Sequence, residues 1–204
     1  MIAVVDYGVG NLFSLRSSLR FIGAESCVSA DAETLRAADK LILPGVGAFG
    51  DAAEKLRRSG LDRVVIEEAE RGKPLLGICL GMQLLFEKSY EYGEHAGLGL
   101  LPGRVVAMEG RLPPELKIPH IGWNALHIRR PSPLLRYVKE GECVYFVHSF
   151  YAEGCEDSLI ATAEYGLELT AAVQKDNVMG CQFHPEKSGN VGLNILRAFC
   201  EDQI

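Results

Sequence analysis

Residues 2–5 (Ile-Ala-Val-Val), 40–43 and 75–78 are short apolar runs with almost no alternation, the pattern of strands buried on both faces of a parallel sheet. Between them apolar residues return at helical spacing. Leu12, Leu15, Leu19 and Ile22 form one such stripe, closed by Gly23. Asp51, with Glu54 three residues on, resembles a capping box for a second helix that stops by Gly60. Leu61, Val64, Val65, Glu68 and Ala69 mark a third, ended by Gly72 and Pro74, and a fourth is expected over 82–88. Strand and helix alternating in this way predict an α/β fold with a mostly parallel sheet covered by helices. From 93 to 119 the chain is rich in Gly and Pro. Beyond that, strands are expected at 121–128, 143–150, 159–164, 171–174 and 178–183, with a closing helix over 191–199. No repeat or linker interrupts the pattern, so residues 1–204 are expected to form a single domain.

Composition narrows the function classes. At 48% hydrophobic and 24% charged residues, the chain is neither a disordered tail nor a disulfide miniprotein. Lys and Arg number 21 against 27 Asp and Glu, and the net charge of −6 repels a phosphate backbone, so no nucleic-acid partner is expected. The most apolar stretch, 75–86, is broken by Gly77, Gly81 and Gln83 and is too short to span a bilayer. No basic region precedes Asp6, so a secretory signal is not expected and the cytoplasm is the expected location. The six cysteines are scattered without a C-x-x-C pair, against a zinc knuckle or a redox motif, and most are expected to be buried.

One cysteine needs a different account. Gly77-Ile78-Cys79-Leu80-Gly81 places G-x-C-x-G where a buried strand ends and a helix begins, the form of a nucleophile elbow with sulfur in place of oxygen. The flanking glycines fit because a sharp turn presses neighbouring residues against backbone. A sulfur at a helix N-terminus faces unpaired N–H groups, and the Leu80 amide is a natural oxyanion donor. Taken alone the motif also fits a cysteine that merely packs in a turn. A nucleophile needs a base, and the base an orienting acceptor. His184 follows the apolar run 178–183, and Glu186 lies two residues on, so in an extended segment both project to one face. Cys79, His184 and Glu186 therefore make a candidate triad. The H-x-E spacing also occurs in zinc deaminases, but the P-C-x-x-C they require is missing, and no metal or cofactor is expected.

Gly77 to Gln83 (G-I-C-L-G-M-Q) together with Cys181 to Lys187 (C-Q-F-H-P-E-K) resembles the class I, or triad, glutamine amidotransferases. Within that family the narrower resemblance is to the histidine-biosynthesis branch, the glutaminase subunits of imidazole glycerol phosphate synthase. It is carried by Asp6 to Asn11 (D-Y-G-V-G-N), Pro44 to Gly47 (P-G-V-G), His120 to Asn124 (H-I-G-W-N) and Tyr145 to Tyr151 (Y-F-V-H-S-F-Y). The resemblance implies a flavodoxin-like three-layer fold and hydrolysis of glutamine to glutamate and ammonia through a Cys79 thioester. His184 would serve as general acid and base and Glu186 as its orienter. It assigns the oxyanion hole to Leu80, Val46 and Gly47, and glutamine contacts to Gln83, Glu91, His148, Ser149 and Phe150. The implied partner is a (β/α)₈ cyclase in a heterodimer, which uses the ammonia to convert PRFAR to imidazole glycerol phosphate and AICAR. Asn11, Trp123, Tyr145 and Lys187 would lie at that interface.

Pro-Gly-Val-Gly stands where several other triad amidotransferases have Pro-Gly-Gly. Its two glycines let the intervening peptide take either of two orientations at low cost, so the hole is expected to be misassembled at rest and completed when the partner binds its own ligand. Two alternatives stand beside this reading. One is a glutaminase of the pyridoxal phosphate branch, against which Asp6 to Asn11 and His120 to Asn124 argue. The other is a noncatalytic flavodoxin-like module binding phosphate at Gly8-Val9-Gly10. His95, His120 and His127 are expected to be structural.

Overall fold

The computed structural model describes residues 1–201. Its first half runs β1 (Ile2–Val5), α1 (Leu12–Phe21), β2 (Ser26–Ser29), α2 (Ala32–Ala37), β3 (Lys40–Leu43), α3 (Phe49–Arg58), α4 (Leu61–Glu70), β4 (Leu75–Ile78) and α5 (Leu80–Leu84). The second half is mostly strand: β5 (Phe86–Ser89), β6 (His95–Ala96), β7 (Leu101–Ala107), β8 (His120–Ala125), β9 (His127–Ile128), β10 (Cys143–His148), β11 (Phe150–Glu153), β12 (Leu159–Glu164), β13 (Glu168–Lys175) and β14 (Val178–Cys181), closed by α6 (Gly189–Cys200).

The main sheet has eight strands in the order β2-β1-β3-β4-β14-β13-β12-β9. From β2 to β14 neighbours are parallel, and β13, β12 and β9 extend the sheet antiparallel. The apolar runs fill both faces. Ala3, Val5, Leu41, Leu43 and Leu75 pack with Leu35, Phe49, Leu56 and Val65 from α2, α3 and α4. Ile2, Val4, Ile42, Leu76 and Ile78 pack on the other side with Leu15 and Leu19 of α1 and Ile195, Leu196 and Phe199 of α6. The expected arrangement of a mostly parallel sheet between two helical layers is what the structure shows. A four-stranded sheet (β11-β7-β5-β6) and a two-stranded ribbon (β10-β8) lie beside it. Among the described residues no helix is long and apolar enough to cross a membrane.

Several expectations need correction. The helix expected at 82–88 ends at Leu84, because the carbonyls that would continue it are taken from outside: Leu98 N–H goes to Leu84, Leu100 and Leu101 N–H to Leu85, and Gly99 N–H to Phe86. The chain turns instead into β5. Asp51 is not a cap. It sits in the first turn of α3, whose cap position is Ala48, and the N–H of Phe49 donates to the distant Glu91 carboxylate at 2.7 Å. The expected strands 121–128 and 143–150 are each divided, at Leu126 and Ser149, and each half joins a different sheet. The edge strand β2 and the short α2 carry too little apolar pattern to have been expected. Of the cysteines, Cys79, Cys155 and Cys181 are buried, Cys27 and Cys200 are half-buried and Cys143 is exposed, fewer buried than expected.

Lys40, buried in β3, donates its ammonium to the carbonyls of Phe199, at 2.8 Å, and Glu201, at the C-terminal end of α6. Lys40→Met keeps the aliphatic stem and removes the donor. It is expected to cost about 1–3 kcal/mol of stability, read as a lower urea midpoint at unchanged slope.

Candidate active site

The elbow comes first. Cys79 follows β4 with φ 54° and ψ −111°, a backbone conformation that a residue with a side chain rarely adopts. It is held by Cys79 N–H to the Cys181 carbonyl at 2.8 Å and by Gln83 N–H to the Cys79 carbonyl at 3.1 Å. The glycines on either side are required by space. A Cβ on Gly77 would stand 2.7 Å from the Met82 backbone, and one on Gly81 1.8 Å from the Leu43 carbonyl oxygen. The start of α5 therefore lies directly on the chain that leads into Pro44 to Gly47. Since α5 has five residues, its dipole is small, and the local N–H groups matter more than the helix as a whole.

β14, next to β4, delivers His184. His184 itself is extended (φ −101°, ψ 98°), but Pro185–Lys187 form a single 3₁₀ turn, so the expected straight i, i+2 arrangement is replaced by a bend. The contact survives: His184 Nδ1 lies 2.8 Å from Glu186 Oε1, and both side chains are 3% exposed. Glu186 Oε2 is buried with no hydrogen-bond partner among the described residues, so the His184 imidazole is the side chain paired with this carboxylate. Burial on its own pushes the His184 imidazolium down. Hydrogen bonds to Cys79 and Glu186, and their charges, outweigh it and raise the group from 6.5 to about 9. Next to them Cys181 is inert, its thiol held well above its ordinary range by burial first and by Glu186 and Cys79 after.

A cleft of about 340 Å³ joins the parts. Cys79 and His184 lie in its wall with Val46, Gly47 and Leu80, the residues expected at the oxyanion hole. Gln83, Glu91, His148, Ser149 and Phe150, the expected glutamine contacts, also line it. Lys187, expected at the interface, lines it too, whereas Glu186 stands behind. Gln83 Nε2 is already engaged, donating to the Phe150 carbonyl (3.1 Å) and to Gln182 Oε1 (3.0 Å), so it shapes the wall as well as facing the cleft. Glu91 follows β5 rather than the nucleophile helix, and burial raises its carboxyl while the Phe49 N–H opposes the shift. His148 is neutral, pushed down to about 3 mainly by burial.

The expected interface residues divide. Trp123 and Tyr145 meet edge to face at 6.0 Å on the outer face of the β8–β10 ribbon, with the Lys187 ammonium 5.9 Å over the Tyr145 ring. Asn11 stands apart, in a small recess with Pro44, Val46 and Glu186. Sequence reasoning missed Tyr92, Pro119 and Val147 in the cleft wall. It also missed Ser188, whose hydroxyl accepts Tyr145 N–H (2.9 Å) and donates to the His184 carbonyl (2.7 Å), lacing the ribbon to the triad. A buried chain behind the wall runs from Asn124 through His120 to His148, at 2.8 and 3.1 Å, which gives His120 its structural place. In the phosphate-binding alternative, one of the loop amides is already engaged, since Gly8 N–H donates to the Asp6 carboxylate at 3.1 Å.

A thiol on a strained elbow, backed by a paired imidazole and carboxylate, defines a class of enzyme, and this chain belongs to it: the family described as glutamine amidotransferase class-I matches residues 3–202. Its relatives are narrower in kind. The imidazole glycerol phosphate synthase subunit HisH of Wolinella succinogenes is 50% identical, the match covering 98% of this chain and 99% of that one. The HisH subunit of Bacillus licheniformis is 53% identical, over 98% and 95% of the two chains. The fold recurs in a crystal structure of a glutamine amidotransferase (TM-score 0.76, 20% identity, covering 98% of this chain and 97% of that one). It recurs also in the structure of PurLQS from Thermotoga maritima (TM-score 0.76, 22% identity, 97% and 96%).

With His184 raised from 6.5 to about 9, its charged form stabilises the fold fully below the ordinary value, and that contribution is lost as pH rises through about 9. Catalysis that needs the imidazolium as acid should fall over the same range. Glu186→Gln removes a charge and an acceptor that raise His184, so the descending limb of kcat/KM against pH moves to lower pH. The same change lowers kcat by about a hundredfold or more.

Proposed function

We propose that this chain is the glutaminase of an imidazole glycerol phosphate synthase, with Cys79, His184 and Glu186 as its catalytic triad. The observation that carries the reading is the convergence of Cys79 and His184 in one cleft with the Glu186 carboxylate 2.8 Å behind the imidazole. Cys79 sulfur attacks the γ-carboxamide carbon of glutamine, and the oxygen that becomes negative is received by the amides of Leu80 and of the Val46–Gly47 segment. The C–N bond then breaks, and the His184 imidazolium gives its proton to the departing nitrogen, which leaves as ammonia. Water attacks the γ-glutamyl thioester, His184 takes a proton from it, and glutamate leaves as the thiolate re-forms. Glu186 keeps the imidazole ring oriented throughout. Gln83, Glu91 and the 148–150 segment hold the glutamine.

Ammonia freed into water is protonated and loses its nucleophilicity, so the product is best delivered directly. The partner in this reading is a (β/α)₈ cyclase that converts PRFAR to imidazole glycerol phosphate and AICAR, docked on Trp123, Tyr145, Lys187 and Asn11. The aromatic pair supports that docking face, since Trp123 is 55% exposed and Tyr145 half-buried beside it. Val46 is 41% exposed, and Gly47, at φ 90°, has open space where a side chain would be, which supports a peptide free to reorient when the partner engages its ligand.

Glutamate release is expected to be slow from the free chain and to rise strongly with the cyclase and PRFAR. Cys79→Ala lowers the stimulated rate by about a thousandfold or more. A free chain already at the stimulated rate contradicts the gating, and a Cys79→Ala complex that still hydrolyses glutamine contradicts the triad.

A further inference from the structure

The strand that carries the expected second oxyanion amide is held unevenly. Tyr7, buried just beyond β1, donates its phenolic O–H to the carbonyl of Pro44 at 2.7 Å. That carbonyl opens the Pro44–Gly47 segment. On its other side the segment presses on the elbow. A Cβ at Gly45 would stand 2.8 Å from Gly81 N and 2.9 Å from both Leu80 Cβ and Tyr7 Oη. Pro44 also rests against the loop that Tyr7 begins, since a Cβ at Gly10 would lie 3.0 Å from Pro44 Cβ. Two residues further on the constraint disappears, for Val46 is 41% exposed and a Cβ at Gly47 would meet nothing within 4 Å. The segment thus has a clamped upstream half and a free downstream half.

We propose that Tyr7 is a positioning residue for the oxyanion hole: its phenol fixes the Pro44 carbonyl and so confines reorientation of the segment to the Val46–Gly47 peptide. This rests on the assignment of that segment to the oxyanion hole. A phenol suits the task because it reaches a buried backbone acceptor from the core. Burial first, and the charge of Cys79 after it, hold the Tyr7 hydroxyl above its ordinary range, so it remains a donor at any working pH. Its ring stays packed in the core with Val5, Leu43 and Leu80. Without the O–H, the buried Pro44 carbonyl is left unpaired and turns toward other donors, carrying the downstream amide away from the place where charge develops.

The test is Tyr7→Phe in the complete complex, which keeps the ring and removes one hydrogen bond. The rate stimulated by partner and PRFAR, relative to the free chain, is expected to fall about tenfold through kcat, with KM for glutamine changed by less than about twofold. Alkylation of Cys79 by iodoacetamide uses no oxyanion hole and is expected to keep its wild-type rate. It also reports that the elbow is intact. A Tyr7→Phe complex with wild-type kcat and stimulation overturns the proposal, and so does one whose loss lies in KM. Failure of the glutaminase reading itself looks different, as a wild-type complex with no Cys79-dependent glutamine hydrolysis.

Discussion

The backbone of Cys79 is the constraint on which the site depends. A cysteine at φ 54° and ψ −111° persists only if the surroundings over-determine it. Here they do so by close approach: Gly77 lets the Met82 backbone lie over the end of β4, and Gly81 lets α5 rest on the Leu43 carbonyl. These contacts hold Cys79 and Leu80 in the wall of the cleft. They also bring the Pro44–Gly47 segment alongside. The parallel pairing of β4 with β14 then brings His184, three residues beyond the end of β14 at Cys181, to the same end of the sheet.

Charge follows from that geometry. His184 is buried, which disfavours its cation, yet the groups brought to its two ring nitrogens more than reverse the effect. The carboxylate behind it pairs with the imidazole through one oxygen, and its second oxygen has no hydrogen-bond partner among the described residues. His148 and Cys181, also buried, are instead held in their neutral forms, chiefly by that burial. The outer face of the β8–β10 ribbon is connected to this centre through backbone. Tyr145 accepts the His184 N–H at 3.0 Å, and Ser188 bridges the same two residues. The strand that carries Tyr145 is thus tied by hydrogen bonds to the segment after β14 that carries His184.

Much of this was legible from local patterns. Runs such as Ile2–Val5 and Leu75–Ile78 announce doubly buried strands because no residue in them needs solvent, and G-x-C-x-G announces the elbow because its geometry tolerates only hydrogen at the flanks. What was not legible depends on partners distant in sequence. Glu91 caps α3 from 42 residues away, and residues 98–101 end α5 by taking its last carbonyls. The division of β8 from β9 and of β10 from β11 leaves no mark in the local pattern, since β9 is only two residues and β11 four, and only the third dimension assigns each to a sheet. The Tyr7 hydroxyl likewise meets Pro44 across 37 positions, and neither residue alone suggests the other.

The most direct test is to quench the complex in acid during glutamine turnover and weigh the peptide that contains Cys79. The account predicts a γ-glutamyl group on the Cys79 sulfur, formed and lost at the rate of glutamate release. Glutamate produced at full rate with no such adduct, or with the glutamyl group on another residue, would contradict it.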